Sequence, residues 1–196
     1  MLTLFPPSNT LCEYFIIISP PHLIKKEVKS IKYEFAKKNG VYTGLHSHAH
    51  ITLMNFLQSE ERERELAQSI RKIVSEQPCF YVLLKGFDFF PANNTFFINI
   101  KNKKPIEKLY EALRVSLYQN RLSLKNIKKG CTPHLTIGRK LSDDQYINAY
   151  KSFSEKSYTA GFNVDSLTLL KRGNSVDRWS HFIEVPFIKK IDCTLL

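Results

Sequence analysis

The chain has few of the features that mark proteins stabilised by structural metal sites or disulfide bonds. Its 196 residues include only four cysteines, and none of them forms a C-x-x-C pair. This spacing argues against a zinc ribbon or a disulfide framework and predicts reduced, mostly buried thiols. The cysteines are Cys12, Cys79, Cys131 and Cys193.

Long apolar runs and secretory signals are also lacking. The run from Tyr14 to Ile18 is far shorter than the roughly 20 residues that a membrane-spanning helix needs. The residues ahead of it have no basic segment followed by a small-residue cleavage site. We therefore expect a soluble, cytoplasmic protein that does not contact a membrane.

Glycine is scarce, with seven residues, and no Gly/Ser-rich linker or Gly-rich phosphate loop interrupts the chain. With 43% hydrophobic residues, the chain is long enough for one substantial core and too short for two ordinary independent domains. We expect one domain over residues 1–196, and nothing in the sequence requires more than a monomer.

Acidic residues are outnumbered by basic ones, 18 against 29, which gives a formal charge of +11. A positive field attracts polyanions and favours RNA or nucleotides as partners, although basic surfaces also serve solubility alone. The local clusters 101–104 and 125–129 are interpreted as solvated loops rather than specific phosphate contacts.

One four-residue pattern occurs twice, as HITL at 50–53 and HLTI at 134–137. On a strand, each copy places His and Thr on one face and apolar residues on the other. A single copy arises easily by chance, whereas two copies in matching contexts are informative. The functional hypothesis depends on this pair.

The contexts match because the chain repeats its predicted elements at an offset of 84 positions, from His50 to His134. Each copy has the order strand, helix, strand, helix, strand, which predicts a two-lobed α+β fold with lobes from about 10–90 and 94–188. The predicted strands are 12–19, 50–53, 80–89, 95–101, 134–137, 162–171 and 178–188, and the helices begin near Pro21, Ser59, Pro105 and Ser142.

Paired histidines suit displacement at phosphorus, which needs one group to take a proton from the attacking oxygen and another to give one to the leaving oxygen. The ordinary histidine pKa of about 6.5 makes both protonation states available. A threonine two residues along the strand offers an O–H to a phosphate oxygen. Such a site needs neither a metal nor a covalent intermediate.

These paired motifs resemble those of the 2H phosphoesterases, especially the bacterial RNA 2′,3′-cyclic phosphodiesterases, also called 2′-5′ RNA ligases. The resemblance extends to three further features: the stretch 86–91, Arg139 just after the second motif and the closing strand pair 164–187. It implies a bilobal, internally duplicated fold in which two antiparallel sheets flank a central cleft, with helices outside. It also implies that the catalytic residues are His50, Thr52, His134 and Thr136.

The resemblance implies an enzyme without metal or cofactor that hydrolyses RNA or nucleotide 2′,3′-cyclic phosphates to 2′-phosphates. We assign His134 as the base that activates water and His50 as the acid. The alternatives are 2′-5′ RNA ligation, another nucleotide phosphodiester substrate or, in a different class, a noncatalytic RNA-binding module. Intact His and Thr in both motifs argue against the last, because Lys or Arg would serve mere phosphate binding.

A metallohydrolase is a further alternative, because His46, His48 and His50 alternate ahead of Thr52 and would share one strand face. No carboxylate cluster lies nearby in the sequence, and a metal would leave the second motif unexplained. We therefore predict no metal and expect His48 at the edge of the cleft, in contact with substrate.

Three more residues are candidates for substrate binding. The guanidinium of Arg139 suits a phosphate, although a surface salt bridge is an equal alternative. Tyr42 flanks the first motif and is a candidate for stacking on a base. Trp179 lies on the last predicted strand, one face of which is expected to reach the cleft, although a lone Trp is more often structural.

Overall fold

The computed structural model describes residues 10–120, 122, 131–173 and 177–187. In these ranges no helix is long and apolar enough to cross a membrane. The elements, in chain order, are β1 (Leu11–Ile18), α1 (His22–Asn39), β2 (Ile51–Ser59), α2 (Glu63–Glu76), β3 (Phe80–Phe90), β4 (Thr95–Ile100), α3 (Lys104–Gln119), β5 (His134–Gly138), α4 (Asp143–Phe153), β6 (Thr159–Val164), β7 (Ser166–Arg172) and β8 (Ser180–Pro186).

All eight strands form one antiparallel sheet in the order β6-β3-β4-β5-β2-β1-β7-β8. The α+β class is confirmed, but the expectation of two separate sheets is wrong. The two motif strands, β2 and β5, pair with each other at Ile51 and Leu135. Because each strand covers the unpaired backbone groups at the other's edge, two four-stranded halves join into one sheet.

The sheet is strongly curled, as the connection between β6 and β7 shows. Only Asp165 separates these strands in sequence, although β6 is one edge of the sheet and β7 lies beside the other edge. The Phe187 N–H donates to the Asp165 carbonyl oxygen over 2.8 Å. Since neighbouring Cα atoms are about 3.8 Å apart, the sheet must bend until its ends approach. The continuous strand predicted for 162–171 is therefore wrong.

The duplication is visible in the sheet as a pseudo-two-fold axis between β2 and β5. β1 and β2 lie on one side in the same arrangement as β4 and β5 on the other. The strands that follow are exchanged, because β3 of the first repeat pairs with β4 and β7 of the second repeat pairs with β1. Each spatial half of the sheet therefore contains strands from both sequence repeats.

Helix boundaries follow the local sequence signals at three of the four helices. α1 follows Pro21 and ends at Gly40, whose φ of 81° is unstrained only in glycine. α3 has Pro105 in its first turn, and α4 begins with the capping box between Ser142 and Gln145. Ser59 makes no side-chain cap, and a short 3-10 turn over Glu60–Arg62 precedes α2.

The apolar positions of the motif strands are fully enclosed by the core. Ile51, Leu135 and Ile137 are completely buried, as is Ile98 on the neighbouring β4. Burying a side chain of this size stabilises the fold by about 1.5–3 kcal/mol. A register slip by one residue would expose this whole set, so the core fixes which face carries the alternating His and Thr.

Candidate active site

The strand register brings the four motif residues together. In the antiparallel pair, Ile51 lies opposite Leu135, which places Thr52 beside His134 and His50 beside Thr136 on the other face of the sheet. Directly opposite residues have Cβ atoms about 5 Å apart. The predicted quartet is therefore a single cluster at the centre of the sheet.

Both histidines are held by the same backbone contact. The Nδ1 atom of His50 lies 2.8 Å from the His48 carbonyl oxygen, and Nδ1 of His134 lies 2.6 Å from the Thr132 carbonyl oxygen. A carbonyl only accepts, so Nδ1 carries a proton in each ring and donates it. Each Nε2 is then the atom that takes up or releases a proton at the site.

Aromatic rings fix the orientation of both imidazoles. His50 meets Phe15 edge-on with ring centroids 5.2 Å apart. His134 packs against Phe90 at 5.1 Å and Phe97 at 5.0 Å. These phenylalanines were not expected at the site from the sequence. Side chains alternate between the two faces along β1 and β4, the strands beside the motif strands. This alternation is the signal that could have found Phe15 and Phe97.

The surroundings disfavour the charged form of both imidazoles. Burial lowers the pKa of His50, and the positive charges of Lys32 and Arg139, and that of His134 when it is protonated, lower it further. Burial also lowers the pKa of His134, with a contribution from Lys103. The hydrogen bonds to the two carbonyls act in the opposite direction. Without substrate, both rings are therefore mainly neutral at pH 7.

The motif threonines keep their hydroxyls available. Thr52 and Thr136 are half-buried, and neither hydroxyl has a hydrogen-bond partner within the described ranges. A serine or threonine hydroxyl supplies one donor that rotates to suit its acceptor. Both hydroxyls are thus able to donate to an oxygen of a phosphate held between the histidines.

Arg139 connects the second motif to the first half of the site. Its backbone N–H donates to the Thr43 carbonyl oxygen over 3.1 Å, and its exposed side chain is close enough to lower the pKa of His50 and of Lys32. Its guanidinium makes no ion pair with any residue described by the structure. This placement suits an oxyanion ligand.

Lys103 is a site residue that the sequence analysis missed, because cluster 101–104 was interpreted as a solvated loop. It is half-buried at the start of α3, and its charge lowers the pKa of His134. Its position shortly after β4, the strand paired with the second motif, is the signal that could have found it. The His134 side of the site therefore has its own cation.

Lys32 is a buried cation that supports the loop ahead of the first motif. Its Nζ donates to the Gly44 carbonyl at 2.9 Å, and to the carbonyl and hydroxyl of Ser47 at 2.8 and 3.0 Å. Burial and repulsion from Arg139 lower the pKa of Lys32 to about 8. Lys32 lies four residues after the buried Val28, on the same face of α1, and this helical spacing could have indicated that Lys32 is buried.

The two histidines ahead of the first motif do not share a strand face with His50, contrary to expectation, because β2 begins only at Ile51. His46 turns to Tyr33, with 3.3 Å between Nδ1 and the hydroxyl. The His48 side chain is exposed, and its carbonyl holds His50. Across the described residues, no group of three or more His, Cys, Asp or Glu is placed to hold a metal ion.

Tyr42 and Trp179 take supporting positions. Tyr42 is buried, its hydroxyl donates to the Lys32 carbonyl at 3.2 Å, and it therefore offers no open stacking face. The Trp179 ring lies between the Arg172 guanidinium, 4.4 Å from its centroid, and Phe15 at 5.2 Å. Phe15 in turn contacts His50, so Trp179 lies one ring removed from the motif.

Comparison with known proteins gives consistent matches. A family model described as the 2′-5′ RNA ligase superfamily matches residues 20–175. A protein of Geobacillus kaustophilus whose name assigns it to the phosphoesterases is 26% identical over 81% of this chain and 87% of its own. An RNA 2′,3′-cyclic phosphodiesterase of Thermotoga maritima is 28% identical over 64% of this chain and 68% of its own.

Among solved structures, E. coli LigT complexed with NADP+ matches with a TM-score of 0.70 at 16% identity, covering 91% of this chain and 99% of LigT. LigT complexed with 3′-AMP matches with a TM-score of 0.66 at the same identity, over the same 91% and 99%. At this identity the structural likeness concerns the fold alone.

Proposed function

Because the chain belongs to the 2′-5′ RNA ligase superfamily, the 2H phosphoesterases, we propose that it is a metal-independent phosphodiesterase that opens RNA or nucleotide 2′,3′-cyclic phosphates. One observation carries the proposal. Two imidazoles, one just before β2 and one at the start of its partner strand β5, are each held at Nδ1 by a backbone carbonyl. This leaves both Nε2 atoms for proton transfer, beside two threonine hydroxyls that have no hydrogen-bond partner among the described residues.

In the proposed reaction, neutral His134 accepts a proton from water at Nε2 while the water oxygen bonds to phosphorus. The bond from phosphorus to the ribose 3′ oxygen breaks, and protonated His50 gives its Nε2 proton to that oxygen. The products are a 2′-phosphomonoester and a free 3′-hydroxyl. The Thr132 and His48 carbonyls stabilise whichever ring carries the positive charge.

Charge on the phosphate oxygens is balanced from both sides of the site. Thr52 and Thr136 donate hydrogen bonds, Arg139 approaches from the His50 side and Lys103 from the His134 side. A bound dianion or monoanion offsets the cations that disfavour imidazolium, so substrate raises the pKa of the histidine that acts as acid.

RNA ends and small nucleotides are the proposed partners. The net charge of +11 favours them, and structures of LigT contain 3′-AMP, ATP and NADP+. Joining of RNA ends through a 2′-5′ bond is the second candidate, favoured by the superfamily's description, and it would use the same two histidines with exchanged roles.

The test is incubation of the purified protein, in EDTA, with an RNA oligomer that ends in a 2′,3′-cyclic phosphate. Identification of the product as the 2′-phosphomonoester supports the proposal, and an added 5′-hydroxyl oligomer reports any ligation. Turnover that EDTA abolishes and zinc restores would establish the metallohydrolase alternative. Tight RNA binding without any turnover would establish the RNA-binding alternative.

A further inference from the structure

Asn99 on β4 lies directly beside the second motif. In the pair between β4 and β5, Asn99 is opposite His134, so both side chains leave the sheet on the same face. Their neighbours Ile98 and Leu135 are completely buried on the opposite face. Asn99 therefore belongs to the surface that carries the motif quartet.

The carboxamide of Asn99 lacks the partners that a structural asparagine has. Among the residues that the structure describes, neither carboxamide atom has a hydrogen-bond partner: the acceptor Oδ1 is buried, whereas the donor Nδ2 keeps accessible surface on the face of the site. Asn102, three residues later, contrasts with it, because its side chain accepts from the Leu83 N–H at 2.9 Å and donates to the Tyr81 carbonyl at 2.7 Å. A buried, unpaired polar atom costs stability, so folding does not explain Asn99.

The duplication does not explain Asn99 either. The pair Ile98–Leu135 in one half of the sheet is equivalent to the pair Ile18–Ile51 in the other half. The residue equivalent to Asn99, one position after Ile98, is therefore Ser19, one position after Ile18. Ser19 is small and exposed. The asparagine is thus a feature of the His134 side alone, where Lys103 also favours an anion.

We propose that Asn99 is a substrate-binding residue whose carboxamide donates a hydrogen bond to an oxygen of the phosphate ester on the His134 side. The proposal rests on the function proposed above for the same site. A carboxamide supplies two N–H donors, and a donor fixed beside His134 would hold the phosphorus in line with the water that this histidine activates.

The test compares Asn99→Ala with Asn148→Ala, an identical chemical change on the exposed surface of α4. Because Asn99→Ala loses one hydrogen bond to a charged group, its kcat/KM for the cyclic phosphate should be about 10- to 100-fold lower than that of the wild type. Binding of adenosine 2′-monophosphate, measured by calorimetry, should weaken in parallel. Asn99→Asp, of the same size, should bind it even more weakly because its carboxylate repels phosphate.

Thermal unfolding separates a binding role from a structural one. Since Asn99→Ala removes an unpaired buried atom, its unfolding temperature should equal or exceed that of the wild type. A lower unfolding temperature together with activity that falls only as the folded fraction falls would overturn the inference. Unchanged turnover and nucleotide binding in Asn99→Ala would overturn it as well.

The two proposals fail in different ways. If the wild type binds adenosine 2′-monophosphate in an Asn99-dependent manner but opens no cyclic phosphate, the proposed reaction is wrong and the assignment of Asn99 stands. If the wild type turns over cyclic phosphate and Asn99→Ala matches it in both assays, the reaction stands and the assignment of Asn99 is wrong.

Discussion

His50 and His134 occupy equivalent places in the duplicated sheet, yet their surroundings differ. Each ring donates from Nδ1 to the carbonyl two residues earlier. His134 packs against two phenylalanines with Lys103 as its nearby cation, whereas among the described residues His50 contacts the single aromatic ring of Phe15 and lies near two cations, Lys32 and Arg139.

Both histidines share the local contact with a backbone carbonyl. Their other neighbours differ because they come from different strands and helices. The duplication thus repeats the backbone contact that holds each imidazole, whereas the other neighbours of the two rings differ. We infer that the repeated backbone contact serves the proposed chemistry at phosphorus. The neighbours that differ between the two histidines would then distinguish the two ends of the substrate.

Loss of either imidazole should have the largest effect and should be similar for both. His50→Ala and His134→Ala are each expected to lower kcat about 10²- to 10⁴-fold, the usual contribution of one positioned acid or base. Steady-state kinetics on a cyclic phosphate RNA measures the loss, and circular dichroism checks folding. A folded variant that keeps most of its turnover would exclude that histidine from proton transfer.

Removal of the threonine hydroxyls should cost less and sharpens the comparison between the halves. Thr52→Val and Thr136→Val keep the side-chain shape, and each should lower kcat/KM about 10- to 100-fold through one lost hydrogen bond to a charged oxygen. Thr52→Ser and Thr136→Ser, which keep the hydroxyl, serve as controls. Equal losses in serine and valine variants would show that packing, rather than donation, is responsible.

The pH dependence of kcat/KM tests the cations on each side. Because burial and nearby charges lower the pKa of both histidines, the optimum for the free enzyme should lie below the ordinary value of about 6.5. Lys103→Met removes a positive charge beside His134, so the pKa of His134 should rise and one limb of the profile should move to higher pH.

Lys103→Met should also lower kcat/KM several-fold, and more strongly at low salt, where charges are less screened. Lys26→Met, an exposed lysine of α1, is the matched control and should leave the profile in place. A profile of Lys103→Met that superimposes on the wild type would show that Lys103 does not act on His134.

Lys32→Met should have the smallest direct effect on chemistry and a measurable effect on stability. It removes the donor to the Ser47 carbonyl and hydroxyl oxygens, whereas the Gly44 carbonyl keeps the Ser47 N–H and O–H, and the loss should cost about 1–3 kcal/mol of unfolding free energy. The measurement is urea unfolding at pH 7. A variant as stable as the wild type would show that water replaces the ammonium group.

The stability difference between wild type and Lys32→Met should also depend on pH. The pKa of Lys32 is about 8 when folded, below its ordinary 10.5, so the unfolded chain binds more protons between these values. The contribution of Lys32 to stability should therefore grow as the pH rises from 8 towards 10.5. A difference that stays constant from pH 7 to 9.5 would contradict the lowered pKa.

The sequence by itself determined the features that depend on neighbouring residues. The two-residue period of a strand assigned His50 and Thr52 to one face, and the turn signals at Pro21 and Gly40 bounded α1. The capping box at Ser142 was readable for the same reason. These signals are local, since each involves residues within a turn or two of one another.

Only the tertiary structure decided how distant segments meet. Pairing of β2 with β5, which joins residues 84 positions apart, made one curled sheet out of the two that were expected. The same pairing and curl brought Phe15, Lys103 and Asn99 to the histidines. Register and curvature depend on long-range packing, which no local periodicity encodes. Strand alternation could therefore suggest a face for these residues, but not that they meet the histidines.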